Sequence, residues 1–233
     1  MSGLGKEHWN QVISVLRQII PVYDKVNNAI SLGNDKSFRV QAIRERILPG
    51  NKILDAGSGF GNMSRIVLQE TKGDARIVLY DPIPEMLLEA KYSPYSNFFV
   101  SLSSGVFEFI PFKSDIFDAV LCGYSLRDAI HLKQAVKEMH RVLKKGGKLI
   151  IVDIGKPDNR IIEAFASLYI KYILGIIAFV VAGTDGFKFK TIHGTYLRWP
   201  ANSELYKILS ETFSRIEFDQ RMMGAAIIVA AYK

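Results

Sequence analysis

The sequence predicts an α/β fold: a doubly wound, mostly parallel seven-stranded sheet with helices on both faces. Three observations predict it. The stretch Lys52-Ile53-Leu54-Asp55-Ala56-Gly57-Ser58-Gly59-Phe60-Gly61 reads as an apolar strand, a tight turn and the start of a helix over 62–70. Further apolar runs alternate with helical patterns over short connections, which specifies parallel strands joined by crossover helices. An acid, Asp81, ends the second of these runs, twenty residues after Gly61.

Taken in order, residues 4–20 place apolar side chains on one helical face, and Pro21 interrupts that helix. A second helix follows, on which Tyr23 and Asn27 are four apart and share a face. Residues 38–48 read as a third helix, closed by Pro49-Gly50. The glycine-rich strand comes next, then a strand over 75–80, a helix over 85–91 and a third strand over 97–102. Phe117 to Cys122 is a buried fourth strand, which makes Cys122 a core thiol and no nucleophile. A helix with Leu132, Val136, Met139 and Leu143 on one face is expected to end at Lys144-Lys145 and Gly146-Gly147. Residues 148–154 form the fifth strand. A helix over 203–212 and two strands, 213–218 and 224–232, end the chain as a hairpin.

This gives one domain in four parts: a helical lid over 1–48, a core over 51–155, an apolar helical insertion over 158–200, and a C-terminal helix and hairpin over 201–233. The insertion holds the run Tyr172 to Ala182, almost wholly apolar and preceded by Lys171. About twenty apolar residues are needed to cross a bilayer. The run is shorter, so a spanning segment is rejected. It is expected to be a buried lid helix, a wall for a greasy substrate, or a surface that touches membrane; Lys171, Lys188 and Lys190 suit the last.

Across 233 residues the hydrophobic fraction is 48% and the formal net charge +7. The charge suits nucleic acid, an anionic membrane surface or an acidic substrate. One cysteine excludes an intrachain disulfide and a cysteine metal cluster. No group of acids or histidines has metal-ligand spacing. The first residues lack the pattern of a signal peptide, and a cytoplasmic location is expected, with a membrane surface allowed. The oligomeric state stays open.

Glycines at 57, 59 and 61 permit backbone dihedrals that a β-carbon forbids and let a ligand lie against bare backbone. The amide groups that open the following helix then face that ligand. Their spacing differs from the G-x-G-x-x-G of dinucleotide binding. With Asp55 two residues ahead it resembles the D-x-G-x-G-x-G of Rossmann-like class I methyltransferases, which use S-adenosylmethionine. Asp81 then stands where an acid accepts both ribose hydroxyls.

Nearly the whole chain resembles the UbiE-type C-methyltransferases of ubiquinone and menaquinone biosynthesis. Tyr23-Asp24-Lys25-Val26-Asn27-Asn28 with Ser31-Leu32-Gly33 is similar to the family's Y-D-x-x-N-x-x-x-S-x-G. Pro111-Phe112 and Phe117-Asp118 match P-F-x-x-x-x-F-D, and Ser125-Leu126-Arg127-Asp128 resembles G-L-R-N. Glu138, Arg141-Val142-Leu143-Lys144 and Gly146-Gly147 follow E-x-x-R-V-L-K-P-G-G, and Lys156-Pro157 follows its K-P. Four places depart. Ser125 replaces Gly, Asp128 replaces Asn, Phe189-Lys190-Thr191 replaces a tyrosine-rich stretch, and Gly105-Val106 replaces Gly-Asp, whose acid meets the adenine amino group.

The resemblance implies methyl transfer from S-adenosylmethionine to a ring carbon of a lipophilic hydroxylated aromatic substrate with an isoprenoid tail. Arg127 would favour the phenolate by charge, and Asp128 or His193 would take a proton. The implied cofactor residues are Tyr23 and Asn27 from the lid; Asp55, Gly57, Ser58, Gly59 and Gly61 from the turn; Asp81, Pro82 and Ile83; Val106 and Phe107; and Gly123 and Tyr124. Methylation of another lipid or a small phenol is a second reading. RNA methylation is a third, against which the fourth strand ends Leu121-Cys122-Gly123-Tyr124, without an Asn/Asp-Pro-Pro-aromatic turn. A cofactor-binding protein without catalysis is a fourth.

Overall fold

A computed structural model describes residues 3–30, 33–91 and 100–233. In chain order the elements are α1 (Lys6–Ile19), α2 (Tyr23–Ile30), α3 (Asn34–Ile43), β1 (Lys52–Ala56), α4 (Asn62–Glu70), β2 (Arg76–Asp81), α5 (Pro84–Lys91), β3 (Val100–Ser104), β4 (Phe117–Gly123), α6 (Leu132–Val142) and β5 (Leu143–Ile154). There follow α7 (Arg160–Leu168), α8 (Leu174–Ala182), α9 (Thr191–Arg198), α10 (Asn202–Ser210), β6 (Arg215–Arg221) and β7 (Ala226–Tyr232).

The sheet has seven strands in the order β3-β2-β1-β4-β5-β7-β6. β1 pairs in parallel with both β2 and β4, so the strand order reverses there. β7 inserts antiparallel between β5 and β6. The expected terminal hairpin forms, but its second strand, not its first, meets the sheet. Residues 97–99, the start of the predicted third strand, lie outside the described residues, as do Ser31 and Leu32.

Successive residues of each central strand serve opposite layers, as a pleat requires. Ile53, Leu121, Ile150 and Val152 pack with Ala42 and Ile43 of α3 and Val67 of α4. Leu54, Val120, Cys122, Leu149 and Ile151 pack with Met139 of α6 and Leu209 of α10. Cys122 is a buried free thiol, and burial pushes its pKa well up.

The largest departures from the expected boundaries lie at α3 and at the junction of α6 and β5. α3 begins four residues earlier and ends five earlier, and it packs on α4 and the sheet rather than joining the lid. α6 stops at Val142, and β5 starts at once with Leu143. Lys144, Lys145 and the glycine pair therefore lie on the strand, where Gly146 takes a left-handed φ of +77° and the pairing with β4 shifts register between Phe117 and Ala119. Tertiary pairing decides these ends, since a helix of this length is marginal without it.

The insertion packs against the N-terminal helices. Ile19 and Val26 share a buried cluster with Ile170, Leu174, Ala178, Phe189 and Tyr196. Arg160–Arg198 is helical over 39 residues, with a window of mean hydropathy 2.1 of which 22% is buried, long and apolar enough by composition to cross a membrane. It does not run straight. A π turn (Tyr169–Ile173) joins α7 to α8, and a 3₁₀ stretch (Gly183–Lys190) follows. Gly183 turns the chain at φ +61°, and Gly186 lies so close to the Ala178 carbonyl that a β-carbon would collide. The run folds back on itself and packs one side onto the domain.

Candidate active site

Two cavities meet at the carboxyl end of β1 and β4, where doubly wound sheets place ligands. The first lies over the glycine turn. Gly57, Ser58, Gly59, Asp55, Asp81, Pro82, Ile83, Val106, Phe107, Gly123 and Tyr124 line it, as do Tyr23 and Asp128. Trp9, Ile13 and Leu16 of α1 cover it. The second has a volume of about 290 Å³ and is mostly apolar, walled by Phe38, Ile154, Ala166, Tyr169, Ile170 and Leu174 among others. Asn27 and Arg127 face this second cavity. Arg39 and Tyr124 line both.

The turn itself is built from backbone constraints. Gly57, Gly59 and Gly61 all have positive φ, at +67°, +51° and +76°. Gly57 has no room for a β-carbon, because Ser125 and Phe107 already occupy that space, whereas at Gly59 the nearest atom is Met86 Sδ at 3.7 Å. Gly61 lines neither cavity; it is the N-cap of α4. Asp55 ties the turn to α4, its Oδ2 accepting from the Ser64 amide at 3.1 Å and the Ser64 hydroxyl at 2.6 Å. Burial raises its pKa to about 6 against those hydrogen bonds. Asp81 Oδ2 accepts from the Gly59 amide and Oδ1 from the Ile83 amide, both at 2.8 Å. Burial likewise raises Asp81 to about 6. Each of its oxygens retains a second lone pair.

This cavity suits a hydroxylated cationic ligand such as S-adenosylmethionine. Asp55 Oδ1 and Ser58 Oγ are buried there without a hydrogen-bond partner, and such atoms are normally satisfied. Val106 lines the cavity beside Phe107, and Tyr80 fixes that segment with its hydroxyl 2.8 Å from the carbonyl oxygens of both Val106 and Phe109, which share its one proton.

Arg127 is buried, and its guanidinium meets Asp153 Oδ1 at 2.6 Å. Asp153 is itself fully buried at the end of β5. Burial would lower the Arg127 pKa, but Asp153 and Asp128 more than offset it and hold it above the usual value. Asp128 is half-buried; burial lifts its pKa to about 6, against the pull of Arg127. Tyr23 packs edge-on against Phe60 with centroids 5.9 Å apart. Burial raises its pKa as well, and its hydroxyl bonds to Asn27 within the field of Arg127 and Asp128.

His193 is not brought to this place. It lines neither cavity; Nε2 meets Ser167 Oγ at 3.3 Å across α9 and α7. Its neighbour Ile192 faces the apolar cavity instead, and the 3.6-residue turn of a helix sends the next side chain elsewhere. Two residues escaped the sequence reading. Arg39 pairs with Asp35 at 2.6 Å and sits 4.9 Å from the Tyr124 ring centroid. Its available signal was the spacing to Asp35, four residues earlier on the same helical face. The available signal for Asp153 was an acid directly after the apolar run Leu149-Ile150-Ile151-Val152.

The profile of the ubiE/COQ5 methyltransferase family matches residues 4–233. The chain belongs to that family. A demethylmenaquinone methyltransferase of Chlorobaculum parvum is 29% identical over 96% of this chain and 93% of its own. A ubiquinone/menaquinone biosynthesis C-methyltransferase UbiE of a Geobacter species is 31% identical over 73% of both. The mitochondrial 2-methoxy-6-polyprenyl-1,4-benzoquinol methylase of Pongo abelii is 23% identical over 98% of this chain and 81% of its own. Among solved structures, a methyltransferase of Thermotoga maritima dependent on S-adenosylmethionine superposes with a TM-score of 0.64 at 17% identity, covering 94% of this chain and 98% of that one. Family membership makes this chain a methyltransferase, and family and fold imply S-adenosylmethionine as the methyl source.

Proposed function

We propose that this enzyme C-methylates the aromatic ring of a quinol precursor that carries an isoprenoid tail. One observation supports the reading above the others: the polar cavity over the glycine turn and the apolar cavity under the lid meet at buried charged residues. In this reading Asp55, Ser58, Gly59 and Asp81 hold S-adenosylmethionine, with Ile83, Val106 and Phe107 around its adenine. When bound, the cofactor supplies an already activated methyl group. The ring sits between the cavities, and the tail lies along Ile170, Leu174 and the other apolar walls. A ring carbon becomes nucleophilic when the neighbouring hydroxyl loses its proton. Asp128 accepts that proton, and Arg127 stabilises the oxyanion; once the methyl is on carbon, that carbon loses its hydrogen as a proton to water and Asp128 returns its proton to the oxygen, which restores the aromatic quinol. Asp153 positions Arg127. Alignment of carbon and methyl supplies much of the rate. The relatives named for quinone biosynthesis support the same substrate class.

The test is incubation with isotopically labelled S-adenosylmethionine and two acceptors, a demethylated quinol with a polyprenyl tail and its tailless analogue. Label on a ring carbon of the tailed acceptor, with a lower kcat/KM for the tailless one, is the expected result. Label on neither quinol, with transfer to another lipid or to RNA, overturns the substrate assignment.

A further inference from the structure

The lid helices present an outer face that the cavities do not use. Ile161, Phe165, Leu168, Tyr172, Ile176 and Val180 are spaced three or four apart, which aligns them along one side of α7, the π turn and α8. All six are exposed, Phe165 at 69%, Ile176 at 60% and Val180 at 77%. Every exposed residue from 161 to 180 is apolar or aromatic except Lys171. Scattered surface leucines need no explanation, but a continuous apolar stripe marks a contact surface. Phe179 and Phe187 extend it, their centroids 4.7 Å apart.

We infer that this face docks onto an anionic lipid bilayer, lying in its interface without spanning it. Charge selects the occupant. The run 160–198 holds five basic residues, Arg160, Lys171, Lys188, Lys190 and Arg198, against Glu163 and Asp185. Asp185 is taken by Lys188 at 2.8 Å. Lys171 sits 5.0 Å from the Tyr172 ring centroid and Lys190 4.9 Å from that of Phe187. A cation beside an aromatic ring at the margin of an apolar face is the arrangement that meets lipid headgroups. A second copy of the chain would bring the same positive charges together, which opposes self-association. The opposite side of the same helices, at Ala166, Tyr169, Ile170 and Leu174, walls the apolar cavity. Docking would therefore set the cavity beside the phase in which a tailed acceptor dissolves. That last link rests on the proposed substrate; the docking itself does not.

Flotation of the purified full chain with vesicles tests it without any substrate. The protein should float with vesicles of phosphatidylcholine and phosphatidylglycerol, float less with phosphatidylcholine alone, and release as salt rises. Phe165→Glu and Ile176→Glu should each lower the partition coefficient about tenfold or more. Lys171→Glu should lower it about fivefold, only on the anionic vesicles. Circular dichroism and turnover of a tailless acceptor should be unchanged in Phe165→Glu. Wild-type protein that stays in the aqueous phase with both vesicles overturns the inference. So does a dimer, seen by light scattering, that Phe165→Glu splits while vesicle binding is unaffected. Firm vesicle binding without methylation of any quinol would keep the docking face and sink the substrate reading.

Discussion

Asp128 stands where the G-L-R-N pattern that Ser125-Leu126-Arg127-Asp128 resembles reads Asn, and its surroundings give that carboxyl a use. Burial and the nearby acids hold its pKa at about 6, so the carboxylate dominates at neutral pH while remaining a better proton acceptor than an exposed aspartate. A rise of kcat/KM with pH through about 6 is expected as the acid ionises. Asp128→Asn should lower kcat by about 10²–10⁴-fold and abolish that limb, as steady-state kinetics against pH would show. Full activity in this variant would remove the carboxylate from the mechanism. The Arg127–Asp153 pair makes a different demand. Asp153→Asn leaves a buried guanidinium without its counter-ion and should cost about 3–5 kcal/mol in urea unfolding.

The glycine turn shows that one motif can hide two kinds of glycine. A β-carbon at Gly57 runs into Ser125, while one at Gly59 has room. Both positions carry the left-handed backbone, which costs a non-glycine residue about 1–2 kcal/mol. Gly57→Ala adds overpacking and should lose roughly 2–5 kcal/mol in all by thermal melting. Gly59→Ala should melt within a few degrees of wild type yet bind S-adenosylmethionine more weakly by calorimetry. Equal losses of stability in the two variants would show that the turn adjusts as a unit. The spacing of the three glycines announced the turn; only packing separates the glycine that has no room for a side chain from the one that has.

Across the molecule, three carboxyls near the cofactor cavity, Asp55, Asp81 and Asp128, have pKa values near 6 against an ordinary 3.8. Between those limits the folded chain binds more protons than the unfolded one, so stability falls as pH rises through the window. His8, His140 and His193 have lowered values and act with the opposite sign, but each is far less buried. Ligand-free protein should therefore melt at a higher temperature at pH 5 than at pH 7.5. Asp128→Asn removes one of the three acids and should shrink that difference; a pH dependence unchanged in the variant would show that Asp128 titrates normally.

The alternation of apolar runs and helical patterns determined the sheet, because strand and helix periods are local and strong. It determined the glycine turn and the acid at the tip of β2 for the same reason: special backbone dihedrals and strand ends leave marks in a few adjacent residues. The partners of those marks were not legible. That Arg127 is held by Asp153, that Arg39 reaches both cavities, and that His193 turns to Ser167 depend on contacts between elements far apart in sequence. The apolar insertion shows the division best. Its composition announced a greasy segment, but hydrophobicity has no direction. Only the fold-back at Gly183 and the packing of Ile170, Leu174 and Ala178 against the N-terminal helices decide which face is buried and which is left to the surroundings.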